Sequence, residues 1–256
     1  MSSVATSSLT VKQRAGRSTV ALKVWMACSG LVMVLYLLAH MYGNLKIIAG
    51  PEAFNHYAHY LRVILEPLLP ESGLLWIIRV VLLVAVLIHI YCGMTLWARD
   101  RKAVGGGTRY AVKKNVQRTG ASFTMRWGGI AIALFVIFHL FNFTFKAGDR
   151  TQTPTIANTA GNYDLMYRLS TGEMVPNAYQ MVHNSFEQWW LVLIYFLALI
   201  AVGLHLRHGV WSAFATLGAN TSPNVRRNWN IVAWIVLLVI VVGFMVPPVA
   251  ILLGVI

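Results

Sequence analysis

Five apolar runs, each long enough to cross a bilayer, limit what this chain can fold into. They lie at about residues 22–48, 74–98, 125–145, 187–214 and 229–256. A hydrocarbon core of about 30 Å takes roughly 20 apolar helical residues, whereas a barrel strand takes about 10. Inside that core only helices and closed barrels satisfy every backbone N–H and C=O. The run lengths therefore predict an all-α integral membrane protein with five transmembrane helices. Composition agrees: of 256 residues, 57% are hydrophobic and only 11% charged, where a soluble domain carries about a quarter. Residues 1–20 are Ser/Thr-rich and basic and are expected to be a disordered tail with no cleavable signal. Residues 21–256 are then one transmembrane domain.

The formal net charge of +13 does not point to nucleic acid, because the basic residues gather at helix ends. Lys12, Arg14, Arg17 and Lys23 precede or open the first run. Arg99, Arg101, Lys102, Arg109, Lys113, Lys114, Arg118 and Arg126 join the second to the third, and Arg226 and Arg227 precede the fifth. These fall on one side of a five-span topology, and seven of the eight acids fall on the other, Asp100 being the exception. The positive-inside rule then puts the N-terminus in the cytoplasm. The inner face is strongly positive, suited to an acidic partner or anionic lipid. On the outer side, residues 51–70 have the near-helical alternation of an interfacial helix, and residues 177–186 form a second semi-polar run. Gly105-Gly106-Gly107 lacks the strand and lysine of a phosphate loop. Pro247-Pro248 is expected to kink or break the fifth helix.

Histidines carry the functional signal. His40, His89, His139 and His205 each lie in a different apolar run, and His208 follows His205 within Leu204-His205-Leu206-Arg207-His208-Gly209-Val210-Trp211. Ionisable groups at that depth normally have a functional partner. At about 1.5 Å rise per residue, His89 and His205 both lie about 13 Å from the inner face. His40 and His139 lie at about 27 and 21 Å by the same rise, toward the outer face. A lone intramembrane histidine is often only a packing residue. Four on four helices, matched in depth, form two pairs, and paired histidines on facing helices are how a bundle holds haem. The expected architecture is a histidine-bearing four-helix bundle with the fifth helix peripheral, binding two haems b. Cys28 and Cys92 rest in apolar runs near the level of His208. Buried cysteine usually packs as a small hydrophobe, but with His89, His205 and His208 the two could instead hold a Rieske-type [2Fe–2S] centre as the metal site.

These residues resemble a known family. Leu38-Ala39-His40-Met41-Tyr42-Gly43-Asn44-Leu45-Lys46, Phe54-Asn55-His56-Tyr57-Ala58-His59, Ile88-His89-Ile90-Tyr91, Phe138-His139-Leu140 and His205-Leu206-Arg207-His208-Gly209-Val210-Trp211 look like the membrane-anchor cytochrome b subunit of succinate dehydrogenase (complex II). The type is the single-chain, five-helix, dihaem one, nearest its actinobacterial branch, and the likeness runs from about residue 22 onward. It implies that His89 and His205 hold a proximal haem and His40 and His139 a distal one. It also implies flavoprotein and iron–sulfur subunits docked on the cytoplasmic face, electrons from succinate passing to a quinone (menaquinone), and no dehydrogenase active site on this chain. Some fumarate reductase relatives carry a membrane glutamate two residues before the fourth-helix histidine, where this chain has Gly203. Some actinobacterial complexes carry the iron–sulfur alternative.

For the quinone, an aromatic wall with one or two polar groups is expected. Tyr42 and Asn44 supply this on the outer side, and Trp25, Ser29 and Trp127 on the inner. A reading of another class, a passive anchor or transporter without a redox cofactor, would favour broken helices in symmetric halves, and the sequence has no internal repeat.

Overall fold

The computed structural model describes residues 18–103, 120–144 and 166–256. Helix α1 spans Thr19–Leu45. Its first turn is capped by Ser18, whose hydroxyl accepts from the Ala21 N–H at 3.1 Å, so helix begins inside the stretch expected to be tail. Residues 1–17 lie outside the described residues. At the far end Asn44 Nδ2 donates back to the His40 carbonyl at 2.8 Å. A 3-10 turn, Lys46–Ala49, follows. Gly50, at φ 91°, then redirects the chain into α2, Gly50–Val63. That left-handed φ costs glycine nothing, and it separates α1 from α2, which covers the first part of the 51–70 stretch read as an interfacial helix and ends at Val63.

Helix α3 spans Gly73–Ala103 and α4 spans Gly120–Phe143. The triple glycine and the basic residues Arg109, Lys113, Lys114 and Arg118 lie outside the described residues, as does Phe145 at the expected end of the third span. A two-stranded antiparallel hairpin, β1 Met166–Arg168 and β2 Met174–Pro176, pairs Tyr167 with Val175. Helix α5, Ala178–Phe186, is capped by Asn177, whose side chain accepts from Gln180 N–H. Helix α6 spans Trp189–Thr216, and α7 spans Pro223–Leu252 from a Ser222 cap.

The expected break at Pro247-Pro248 is not there: α7 runs helically through both prolines to Leu252. Each proline removes one backbone bond, and neighbouring segments in a membrane bundle compensate for such losses. Both rings are buried, so packing holds the turn that the missing bonds would loosen.

Among the described residues five helices are long and apolar enough to cross a membrane, and their large exposed Leu, Ile, Val and Trp side chains suit a lipid environment. The chain is an all-α multi-pass membrane protein carrying one short hairpin. Helices α1 and α3 pack together, as do α4 and α6, and α1 meets α6 to join the two pairs. Helix α7 lies along both α6 and α1. Small residues set those approaches. A Cβ on Gly203 would come 2.7 Å from Val241 Cγ2 and 3.2 Å from Leu237 Cγ, and one on Gly243 would overlap the Met41 sulfur. Gly203 is therefore where α6 touches α7, and a glutamate there would not fit this packing.

The described segments joining α1 to α3 and α4 to α6 form a cap over one end of the bundle. Phe54, Val182 and Phe186 bury against Leu191, Val192 and Ile251. Asn55, fully buried, donates to Asn177 Oδ1 at 3.2 Å and accepts from the Tyr179 N–H at 2.9 Å. Glu52 accepts from the Ser170 N–H and hydroxyl at 2.9 and 2.7 Å, and His59 pairs with Glu173 at 3.1 Å. His183 lies in α5, stacks on Tyr179 and reaches the Ile256 main-chain oxygen at 3.1 Å.

Gly203→Val is expected to lower the unfolding free energy of the purified chain by about 1–3 kcal/mol, the usual cost of overpacking. Gly209→Ala, where a Cβ meets nothing within 4 Å, should cause no loss in the same titration.

Candidate functional site: two histidine pairs inside the bundle

The two packed helix pairs each contribute one histidine at each of two levels. His89 of α3 faces His205 of α6, ring centroids 6.0 Å apart. His40 of α1 faces His139 of α4 at 5.9 Å. Every imidazole thus meets one from the other helix pair. The levels follow from helix rise. Gly30 lies beside His89, Gly129 beside His205, and Tyr195 beside His139. From Gly30 to His40, from Gly129 to His139 and from Tyr195 to His205 the interval is ten residues each time, so the two levels stand about 15 Å apart along the helices.

The level nearer the N-terminal end of α1 is framed by α1. His89 Nδ1 lies 3.1 Å from the Met26 carbonyl and 3.5 Å from Ser29 Oγ. A carbonyl only accepts, so the ring proton sits on Nδ1 and Nε2 keeps its lone pair. Ser29, buried, donates to the Trp25 carbonyl at 2.8 Å and packs under the ring. A Cβ on Gly30 would stand 3.4 Å from His89 Cε1, and one on Gly129 3.8 Å from His205 Cε1. His205 Nδ1 is buried with no hydrogen-bond partner among the described residues, which protein interiors seldom leave without a ligand or a water.

At the level under the cap, His40 stacks on Tyr36 at 5.4 Å, interplanar angle 10°, and touches Phe244 of α7 at 5.6 Å. Helix α7 carries no histidine but walls this pair. His139 Nδ1 lies 3.1 Å from the Tyr195 hydroxyl, and the side-chain amide of Asn142 lies against the same hydroxyl with Nδ2 at 3.2 Å.

These pairs fit haem. Two imidazoles sharing one metal ion, each nitrogen about 2 Å from it, have ring centroids roughly 6 Å apart once the rings are added. The anchored Nδ1 of His89, which turns Nε2 toward such a group, and the glycines beside the rings suit it, and the His205 Nδ1 is a buried polar atom left for a ligand or a water. The cysteines are placed differently. Cys28 is exposed, and Cys92 is buried among Leu22, Leu96, Met26 and Ile88. Among the described residues no three His, Cys, Asp or Glu side chains gather as a metal-ion site. His208 packs on Trp211 at 6.4 Å. Arg207 donates to Asn230 Oδ1 at 3.3 Å and lies 4.9 Å over the Trp234 ring.

Of the quinone candidates, Trp25 and Trp127 are exposed, Ser29 is committed to backbone, and Asn44 caps its own helix. Tyr42 is exposed and packs edge-on to Tyr57 at 6.2 Å, with Lys46 Nζ 4.9 Å above its ring. Beside it opens a cleft of about 340 Å³ lined by Lys46, His56, Tyr57 and Tyr60.

Sequence reasoning missed Tyr195, Asn142, Tyr36, Phe244 and the Met26 carbonyl. The repeated ten-residue interval could have located Tyr195, and the three-residue step from His139 could have located Asn142. A main-chain carbonyl leaves no mark in a sequence. Compared with protein-family models, curated proteins and solved structures, the chain matches none of them.

Gly30→Val should crowd the His89 ring and, on the haem reading proposed below, cost one haem per chain, measured by pyridine haemochrome. Gly93→Val, on α3 where a Cβ meets nothing within 4 Å, should leave the haem content unchanged.

Proposed function

We propose that this chain is the membrane-anchor and electron-transfer subunit of a succinate:quinone oxidoreductase, holding two bis-histidine b haems and delivering electrons to a quinone. The observation that carries the reading is the meeting of four histidines from four helices as two pairs at two levels. Haem, when bound, supplies one-electron redox chemistry at each level. The chain's own residues do the rest. His89 and His205 bind at one level and His40 and His139 at the other. Met26 and Tyr195 orient two of the rings, and Phe135, Phe143 and Phe244 keep water from the second level.

The charge distribution supports the orientation. With the N-terminus in the cytoplasm, Arg99, Arg101 and Lys102 on α3, with Arg226 and Arg227 on α7, lie on the face offered to iron–sulfur and flavoprotein partners. The cap then lies outside, and the cleft beside Tyr42 is the place for a quinone headgroup, its aromatic walls and Lys46 suiting a carbonyl-bearing ring.

His205→Ala is expected to remove one of two haems and abolish quinone reduction by succinate. Unchanged haem content would contradict the ligand assignment. Replacing Cys28 and Cys92 together by serine should leave quinone reductase activity in place, and its loss would move the cofactor to a cysteine-ligated centre.

A further inference from the structure

The histidines of the two levels are anchored by different chemistry. His89 faces a carbonyl that can only accept. His139 faces the Tyr195 hydroxyl, which can either donate or accept. If the hydroxyl donates, the imidazole proton moves to Nε2 and that nitrogen has no lone pair for iron. If it accepts, Nδ1 keeps the proton and Nε2 is free. A third group decides between the two. Asn142 lies three residues beyond His139 on α4 and is 2% exposed. Its Nδ2 is 3.2 Å from the Tyr195 hydroxyl, while its Oδ1 is buried without a partner among the described residues. A half-turn of the amide exchanges these two atoms and sets the oxygen against the hydroxyl.

We propose that Tyr195 and Asn142 form a directed hydrogen-bond chain, His139 Nδ1–H to Tyr195 and Tyr195 O–H to Asn142 Oδ1, that holds His139 in its iron-binding form. This rests on the two-haem reading above. The surroundings suit such a chain. The rings of Phe135, Phe138, Phe143 and Phe186 stand 5.0, 6.3, 6.2 and 5.0 Å from the Tyr195 ring, so little water can compete for the hydroxyl. In an apolar interior each misdirected proton leaves a buried group unpaired, so the amide orientation and the histidine tautomer are set together. Tyr195 and Asn142 are positioning residues: both act on iron only through His139.

The test measures haem retention and the ferric electron paramagnetic resonance spectrum of the intact complex, with apomyoglobin as haem acceptor. Tyr195→Phe keeps the ring and deletes the hydroxyl, and Asn142→Leu keeps the volume and deletes the acceptor. Each is expected to weaken retention of one haem about 10–100-fold, as loss of an orienting partner does. Each should also shift only that haem's resonance, leaving the other at its wild-type position. Phe196→Leu changes an exposed ring next to Tyr195 in sequence but leaves the chain of hydrogen bonds intact, and should leave the resonance in place. His139→Ala separates the two claims. If it costs one haem while Tyr195→Phe and Asn142→Leu leave retention and resonance at wild-type values, the hydrogen-bond chain is overturned and the haem reading stands. If it costs no haem, both fall.

Discussion

Four half-buried imidazoles inside an apolar bundle are the constraint on which the rest of this structure depends. A polar ring inside a hydrocarbon-embedded core needs partners, and here each ring has the imidazole of another helix beside it. Because the partners of each pair come from different helix pairs, α1/α3 and α4/α6, both pairs require those two units to stay in register. The apolar surface of α3 and α4 can turn to lipid without competing for that register. The glycines do opposite work from the histidines: Gly203 and Gly243 bring α7 close against α6 and α1, whereas Gly30 and Gly129 keep space open beside the rings.

The two levels are finished in different ways. The level near the start of α1 is completed by backbone, through the Met26 carbonyl, and by the small side chains of Ser29 and Gly30. The level under the cap is completed by side chains: Tyr36 and Phe244 around His40, and Tyr195 and Asn142 around His139. The cap adds weight to the second arrangement, because Phe186 packs on Tyr195 and Phe143 while Asn55 ties α2 to α5. A disturbance of the cap would therefore reach His139 before it reached His89.

Much of this was legible in the sequence for simple reasons. A bilayer of fixed thickness turns run length into element type, so the five spans were readable, with ends shifted by up to about six residues. Helical rise turns residue number into depth, so His89 with His205 and His40 with His139 could be matched before any coordinates. Rotation about the helix axis was not legible, because runs apolar on every side carry no periodic face. That is why Tyr195, Asn142 and Phe244 went unseen. The hairpin at Met166–Pro176 was missed because three-residue strands carry too little alternation to register, and the break assigned to Pro247-Pro248 failed because burial on neighbouring helices outweighed two lost backbone bonds.

The account stands or falls on what the two histidine pairs hold. The most direct measurement is a reduced-minus-oxidised optical spectrum of the purified complex with haem quantified per chain. Two b-type haems per chain is the predicted result. A complex without haem, showing an iron–sulfur signal that disappears when Cys28 and Cys92 are replaced by serine, would contradict it.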